Sequence, residues 1–193
     1  MHRTTATKPA TPADLMAQAL SQAERAQRRG EVPVGAVIVA GGEVLARACN
    51  ETIRAHDPTA HAELLALRRA ARRLGTHRLV GAEVYVTLEP CAMCMGAMIQ
   101  ARIASLTFAC RDAKAGAAVS LYQLAADRRL NHRFAIREGV LEAPCREILQ
   151  QFFRARRSRR RALRNPASRA LARRRPRATA SSTARRSTDR PRG

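Results

Sequence analysis

The sequence predicts an α/β fold with a mixed central sheet of about five strands. Two observations support this class. A helical stripe is followed by a β-hairpin near the start of the chain, and helices then alternate with strands through to a final helix. Because such alternation places parallel strands beneath helices on both faces, the later strands are expected to be parallel.

The first predicted elements are a helix and a hairpin. Ala13–Arg29 carries apolar side chains at helical spacing. Val34–Val39 and Glu43–Arg47 are strand-like runs joined by Gly41-Gly42, a pair typical of a tight turn between antiparallel strands.

The alternating part begins with a helix over Asp57–Leu74, for which Asp57 is a suitable N-cap and Pro58 a suitable first residue. A short helix with two cysteines follows the next strand, and a final helix starts at Pro144. The later strands are expected at Glu83–Leu88, Ser105–Cys110 and near Phe134–Val140.

Four residues in two short motifs carry the predicted chemistry. His61 and Glu63 lie in His-Ala-Glu, and Cys91 and Cys94 lie in Pro-Cys-Ala-Met-Cys further along the chain. One histidine and two cysteines give zinc three protein ligands, whereas structural zinc sites are closed by four. The open fourth position holds water, whose pKa zinc lowers to about 7. The motifs therefore indicate a hydrolytic zinc site, with Glu63 placed to move protons.

The metal is expected over the N-terminal ends of two helices. Cys91 and Cys94 are three residues apart and share a helix face, and Pro90 fits the first turn of that helix. Thiols at a helix N-terminus ionise more readily, as metal ligation requires. His61 and Glu63 are two residues apart, so Glu63 is expected to reach the water rather than the metal.

Two other interpretations of the cysteines stay open. A Cys-x-x-Cys pair can be a redox site, although it would leave His61 and Glu63 without a role. A closed structural zinc site needs a fourth ligand, and Cys49, Cys110 and Cys145 are candidates by residue type. None of these three lies in a second cysteine pair.

His-x-Glu and Pro-Cys-x-x-Cys together are the known signature of zinc nucleobase deaminases. Longer stretches make the chain resemble one family of this class, the bacterial tRNA-specific adenosine deaminases. These stretches are Glu31–Val37, His56–Glu63, Thr87–Met98, Arg111–Ala118, Asn131–Arg133 and Phe152–Arg154. The resemblance implies a three-layer α/β/α cytidine-deaminase-like fold, with zinc at the carboxyl ends of the strands.

The resemblance also implies a reaction, the hydrolytic deamination of adenosine to inosine at the wobble position (34) of a tRNA anticodon. A zinc-bound hydroxide would attack C6 of adenine, with Glu63 as the catalytic proton shuttle. His61, Cys91 and Cys94 match the family's metal ligands, which hold one Zn²⁺ per subunit. The expected partners are the tRNA anticodon stem-loop and a second copy of the chain, because family members of this size are homodimers.

Five further residues match family positions that contact substrate: Asn50, Asp112, Asn131, Phe153 and Arg156. Asn50 matches a position that hydrogen-bonds the purine, although it could instead only close the second strand of the hairpin. Asp112 and Asn131 match positions beside neighbouring nucleotides. Phe153 and Arg156 match a C-terminal helix near the RNA.

Two rival functions are compatible with parts of this pattern. The zinc motif alone fits a deaminase of a free base or nucleotide, of the guanine or deoxycytidylate type, which would need no basic RNA-binding surface. A non-catalytic tRNA-binding subunit could keep zinc but lack a proton shuttle, and the presence of Glu63 argues against it.

Charge divides the chain. Its net charge is +21, and residues 154–193 hold sixteen arginines and one acidic residue, so most of the charge lies there. We therefore expect a flexible N-terminus (1–12), a deaminase domain (13–157) and a disordered Arg-rich tail (158–193) with too little apolar surface to fold. The tail is either a phosphate-binding arm or an extension whose arginines reflect coding bias.

The sequence favours a cytoplasmic protein without membrane association. It contains no apolar run long enough to span a bilayer and no hydrophobic N-terminal stretch. Thiolate ligands also require a reducing compartment.

Overall fold

The computed structural model describes residues 10–164, which form four helices and five strands. The helices are α1 (Pro12–Arg28), α2 (Ala62–Leu74), α3 (Ala92–Ala101) and α4 (Glu142–Arg164). The strands are β1 (Gly35–Ala40), β2 (Glu43–Cys49), β3 (Glu83–Leu88), β4 (Ser105–Cys110) and β5 (Ala135–Glu138).

The strands form one mixed sheet in the order β2-β1-β3-β4-β5. β1 pairs antiparallel with β2 and β3, whereas β3, β4 and β5 are parallel. Gly41 and Gly42 both have positive φ, which suits the tight turn between β1 and β2. The five-stranded mixed sheet and the parallel later strands are confirmed.

Helices cover both faces of the sheet. One core cluster packs residues of α1, including Met16, with Val37, Tyr85 and Cys145. The other packs α2 and α3 with side chains that point to the opposite face, such as Ile38 and Val84. This arrangement confirms the predicted three-layer α/β/α fold, because successive strand residues supply alternate faces.

Helix α2 starts later than the sequence predicts. Its first residue is Ala62 and its N-cap is His61, so the expected N-cap Asp57 is wrong. The Asp57 carboxylate instead accepts hydrogen bonds from the Thr59 N–H and hydroxyl, both at 2.7 Å. This turn competes with helix formation, as Asp side chains often do. It also keeps His61 in an extended backbone conformation (φ −73°, ψ 150°).

The described helices cross the predicted domain boundaries at both ends. Thr11 caps α1 in a capping box with Asp14, so ordered structure begins inside the segment expected to be flexible. Helix α4 runs to Arg164, beyond the expected boundary at residue 157, which corrects the prediction of disorder for residues 158–164. The predictions for residues 1–9 and 165–193 lie outside the described residues.

The described residues separate into two compact units, one ending at Arg154 and the other beginning at Ala155. Among residues 10–164, none of the helices is both long and apolar enough to cross a membrane.

Candidate active site

The predicted ligand atoms converge at the N-terminal ends of two helices. His61 is the N-cap of α2 and Cys91 the N-cap of α3, and neither side chain caps its own helix. The His61 Nδ1 atom lies 3.8 Å from the Cys91 Sγ and 3.5 Å from the Cys94 Sγ, and the two sulfurs are 3.8 Å apart. Three such atoms within 4.8 Å of one another can share one metal ion.

Within residues 10–164, the cluster contains these three donor residues and no fourth one. Cys49, Cys110 and Cys145 are buried elsewhere and do not belong to it. The donor set is therefore an imidazole and two thiols, which suits zinc with one coordination position left for a small ligand.

The two sulfurs differ in acidity because they are hydrogen-bonded to each other. Hydrogen bonds from Cys94 and His61 lower the pKa of the Cys91 thiol, which favours its thiolate form. The hydrogen bond to Cys91 and burial raise the pKa of the Cys94 thiol. Since a metal needs both sulfurs as thiolates, binding would release the proton that Cys94 holds.

Glu63 lies beside this cluster with an unsatisfied oxygen. The residue is 3% exposed, and its Oε2 is the one buried side-chain oxygen or nitrogen within residues 10–164 that has no hydrogen-bond partner. Burial raises the pKa of the carboxyl group. A buried polar atom without a partner costs stability, so its presence points to a role in binding or catalysis.

A cavity of about 210 Å³ is lined by five of the nine predicted site residues. It is smaller than pockets for drug-sized ligands, which hold about 300–1,000 Å³, and so suits a single small ring system. Its lining is formed by Val32, Val34, Asn50, Thr52, His61, Glu63, Leu88, Glu89, Cys91, Asp112 and Ala115.

Asn50 contributes to both the structure and the cavity. It is 6% exposed, and its Oδ1 accepts a hydrogen bond of 2.8 Å from the Ala62 N–H, the first residue of α2. The carbonyl end of the amide thus positions the helix that carries Glu63. The NH₂ end remains as a hydrogen-bond donor at the wall of the cavity.

The other predicted contact residues lie in different surroundings. Asp112 lines the cavity, but its carboxylate accepts hydrogen bonds from the backbone of Lys114 and Ala115 and so also shapes its own loop. Asn131 is not in the cavity lining, and its backbone carbonyl accepts a hydrogen bond from the Arg102 side chain. Phe153 is 40% exposed and packs edge-on against Phe152. Arg156 lies on the exposed part of α4 beyond residue 154.

Glu89 is a residue whose importance the sequence did not reveal. It is 3% exposed and accepts hydrogen bonds from four backbone N–H groups and one hydroxyl. The backbone donors are Asp112 (2.9 Å), Ala118 (3.1 Å), Val119 (2.7 Å) and Ser120 (2.8 Å), and the hydroxyl is that of Ser120. Glu89 thereby fixes the loop that carries Asp112 and Ala115 of the cavity wall. The sequence offers one indication of its role: Glu89 is a charged residue placed directly between a predicted buried strand and the Pro-Cys motif.

Glu31 anchors a second segment of the cavity wall, also through hydrogen bonds to a buried carboxylate. It is fully buried, and its carboxylate accepts hydrogen bonds from the Thr52 hydroxyl (3.2 Å) and from the N–H groups of Ile53 (3.1 Å) and Arg54 (2.8 Å). This segment follows Asn50 and includes Thr52 of the lining. Nothing in the spacing of Glu31 distinguishes it from a surface residue after a helix.

The chain matches known deaminases over most of its length. Residues 12–157 match the family model of the MafB19-like deaminases. The chain is 43% identical over 149 residues to a tRNA-specific adenosine deaminase of Bacillus subtilis (strain 168), covering 77% of this chain and 92% of that protein. It is 46% identical over 136 residues to a tRNA-specific adenosine deaminase of Aquifex aeolicus (strain VF5), covering 70% of this chain and 89% of the relative.

A solved structure from work on A-to-I editing by tRNA:A34 deaminases superposes with a TM-score of 0.68. It is 43% identical in sequence, and the match covers 70% of this chain and 98% of the other. The similarity therefore spans nearly the whole of each relative, and the family model covers all of the cavity lining and the three donor residues. The chain belongs to the family of tRNA-specific adenosine deaminases.

Proposed function

We propose that this protein hydrolytically deaminates adenosine to inosine at wobble position 34 of a tRNA anticodon. One observation carries the proposal: the Glu63 carboxylate, whose Oε2 has no hydrogen-bond partner, lies in a small cavity beside the His61, Cys91 and Cys94 donor atoms. In a chain of this family, that combination is suited to hydrolysis at the amino-bearing carbon of a purine. We further propose residues 13–157 as the deaminase domain, which the family match over residues 12–157 supports.

His61, Cys91 and Cys94 are the residues that would hold one Zn²⁺ per subunit. The imidazole and thiol donors fit zinc, and a set of three fits a catalytic rather than a structural site. When bound, zinc lowers the pKa of water to about 7 and so supplies a hydrolytic nucleophile at neutral pH.

Glu63 is proposed as the proton shuttle. Burial raises the pKa of its carboxyl group, which makes the carboxylate a better proton acceptor than that of an exposed glutamate. In deamination it would accept one proton from the attacking water and deliver it to N1 of the purine, and it would then carry the second proton of that water to the departing amino group. The NH₂ group of Asn50 is placed to donate a hydrogen bond to the purine ring.

Asp112, Asn131, Phe153 and Arg156 are proposed to contact nucleotides around the target base. Asp112 already lies in the cavity wall, which supports a place close to the base. We also propose that the protein acts as a homodimer and in the cytoplasm, where tRNA is available.

The direct test is to incubate the zinc-loaded protein with a tRNA that carries A34 and to measure inosine by nucleoside mass spectrometry. Inosine at position 34 is the expected product, and a tRNA with G34 is the matched control. Conversion of guanine or deoxycytidylate, with no inosine in tRNA, would instead support the rival function.

Replacing a proposed ligand should remove the metal. We expect Cys94→Ser to lose at least nine-tenths of the bound zinc, because a neutral hydroxyl replaces a thiolate. Zinc per chain is measured by atomic emission after dialysis. Cys49→Ser is the matched control, since Cys49 is buried and lies outside the cluster. Full zinc content in Cys94→Ser would contradict the ligand assignment.

Asn50→Asp should separate the two roles of this residue. Aspartate keeps an acceptor for the Ala62 N–H, so α2 should stay in place, but it loses the NH₂ donor. We expect kcat/KM to fall by roughly 5- to 150-fold, as for the loss of a hydrogen bond of about 1–3 kcal/mol. Steady-state kinetics on tRNA measures the effect, with zinc content as the control. An unchanged kcat/KM would restrict Asn50 to a structural role.

A further inference from the structure

We propose that the C-terminal part of helix α4 binds the phosphate backbone of RNA through a face of four arginines. We call Arg157, Arg160, Arg161 and Arg164 the arginine face. The inference rests on the proposed function, because that function brings tRNA, a polyanion, to this protein.

The geometry of the arginine face suits a linear anion. Its residues follow i, i+3, i+4, i+7 spacing and so lie on one side of the helix. Their side chains line a single surface depression, and every residue from 155 to 164 is exposed. At about 1.5 Å of rise per residue, the face extends over roughly 10 Å.

The charge of this segment is unbalanced. Residues 155–164 contain six arginines and no acidic residue. None of these arginines takes part in an ion pair within residues 10–164. Arginines earlier in the helices do have such partners at i,i+4 spacing, as Arg28 has in Glu24 and Arg146 in Glu142.

Unpaired like charges at these spacings destabilise a helix, so an anionic partner would stabilise the one seen here. Guanidinium groups bind phosphate with two parallel hydrogen bonds, which makes arginine well suited to a nucleic-acid backbone. Residues 155–164 contain no aromatic side chain on which a base could stack. The chemistry therefore favours phosphates over bases, and binding that depends on salt rather than sequence.

This surface adds to the deaminase domain. The family match ends at residue 157, so three of the four arginines of the face lie beyond it. The arginine face thus supplies affinity for the tRNA body or flanking stem, while the cavity selects the base.

The test measures the Kd of full-length, zinc-loaded protein for tRNA over a series of KCl concentrations. The variant carries Arg157→Gln, Arg160→Gln, Arg161→Gln and Arg164→Gln together. Four lost phosphate contacts should flatten the slope of log K against log [KCl] by about 3. The same four positions changed to lysine should keep most of the slope, because lysine retains the charge.

A matched control carries four arginine-to-glutamine changes on exposed positions of α1 and α2, namely Arg25, Arg28, Arg68 and Arg72. We expect it to change the slope by less than 1. An unchanged slope in the arginine-face variant, or an equal loss in the control, would overturn the inference. So would tighter binding of the wild-type protein to vesicles of acidic phospholipid than to tRNA at equal salt.

The outcomes also separate this inference from the proposed function. At low salt and saturating tRNA, the arginine-face variant should still form inosine at position 34. A wild-type protein that forms no inosine contradicts the proposed function, whereas the salt slopes alone decide the role of the arginine face.

Discussion

Glu63→Gln should lower the rate of inosine formation by about 10²–10⁴-fold while zinc stays at one ion per chain. The size follows from the usual contribution of a positioned general acid–base. Glutamine keeps the shape of the side chain but cannot carry a proton between water, N1 and the leaving amino group. Single-turnover kinetics on A34 tRNA measures the loss, and metal analysis measures the zinc.

The same variant should fold at least as stably as the wild-type protein. Glu63 is 3% exposed and its Oε2 has no hydrogen-bond partner, so its ionised form costs free energy in the folded state. A neutral isostere removes that cost, as expected where stability has been given up for activity. Urea denaturation of both proteins at neutral pH compares the free energies of unfolding.

Two results would refute this role. Near wild-type activity in Glu63→Gln would show that another group moves the protons. A drop in activity together with a lower unfolding free energy and lost zinc would make Glu63 a structural residue. Glu24→Gln is the matched control, since it makes the same change at an exposed position of α1.

Glu89→Ala should destabilise the fold by about 3–5 kcal/mol, because several buried donors lose their acceptor and each such loss costs about 1–3 kcal/mol. Alanine leaves four backbone N–H groups and the Ser120 hydroxyl without their acceptor. The loop that carries Asp112 would then lose its anchor. Urea denaturation measures the stability, and the rate of inosine formation at saturating tRNA reports on the cavity wall.

Glu89→Gln should have a smaller effect, because one amide oxygen can still accept the bonds from Ala118, Val119 and Ser120. Its NH₂ group would face the Asp112 N–H, so we expect a loss of about 1–2 kcal/mol. Equal effects of alanine and glutamine, or no effect of either, would contradict the anchoring role. Glu24→Ala, at an exposed position, is the matched control.

Low pH should reduce the stability that the Glu89 carboxylate gives to the loop carrying Asp112. Burial alone would raise the pKa of Glu89, but hydrogen bonds from Ser120 and from the N–H groups of Asp112 and Val119 hold it below its usual value. The unfolded chain therefore binds the proton first, at the ordinary glutamate pKa of about 4.3. The stabilisation is complete above that pH and is lost as the pH falls through the depressed pKa of the folded state. The stability gap between wild type and Glu89→Gln should narrow accordingly in urea titrations at decreasing pH.

The sequence by itself was sufficient for the sheet and for the three donor residues that the fold brings together. The strands Glu83–Leu88 and Ser105–Cys110 have the predicted bounds, because each is a short run of mostly apolar, β-branched or aromatic residues between clear turns. The three donor residues could be predicted because zinc restricts ligand type and spacing so strongly. The chemistry of a short motif is a local property of the chain.

Tertiary structure alone decided how the site is held. Glu89 meets donors 23 to 31 residues away, which reach it only because β3 and β4 are parallel neighbours whose carboxyl ends meet. Glu31 meets the segment after Asn50 by the same kind of long-range contact. The start of α2 at Ala62 likewise depends on the turn at Asp57 and on the Asn50 side chain. Asn50 directly follows β2 and accepts a hydrogen bond from the Ala62 N–H. Such contacts have no fixed spacing along the chain, since the fold, and not the local sequence, sets which groups become neighbours.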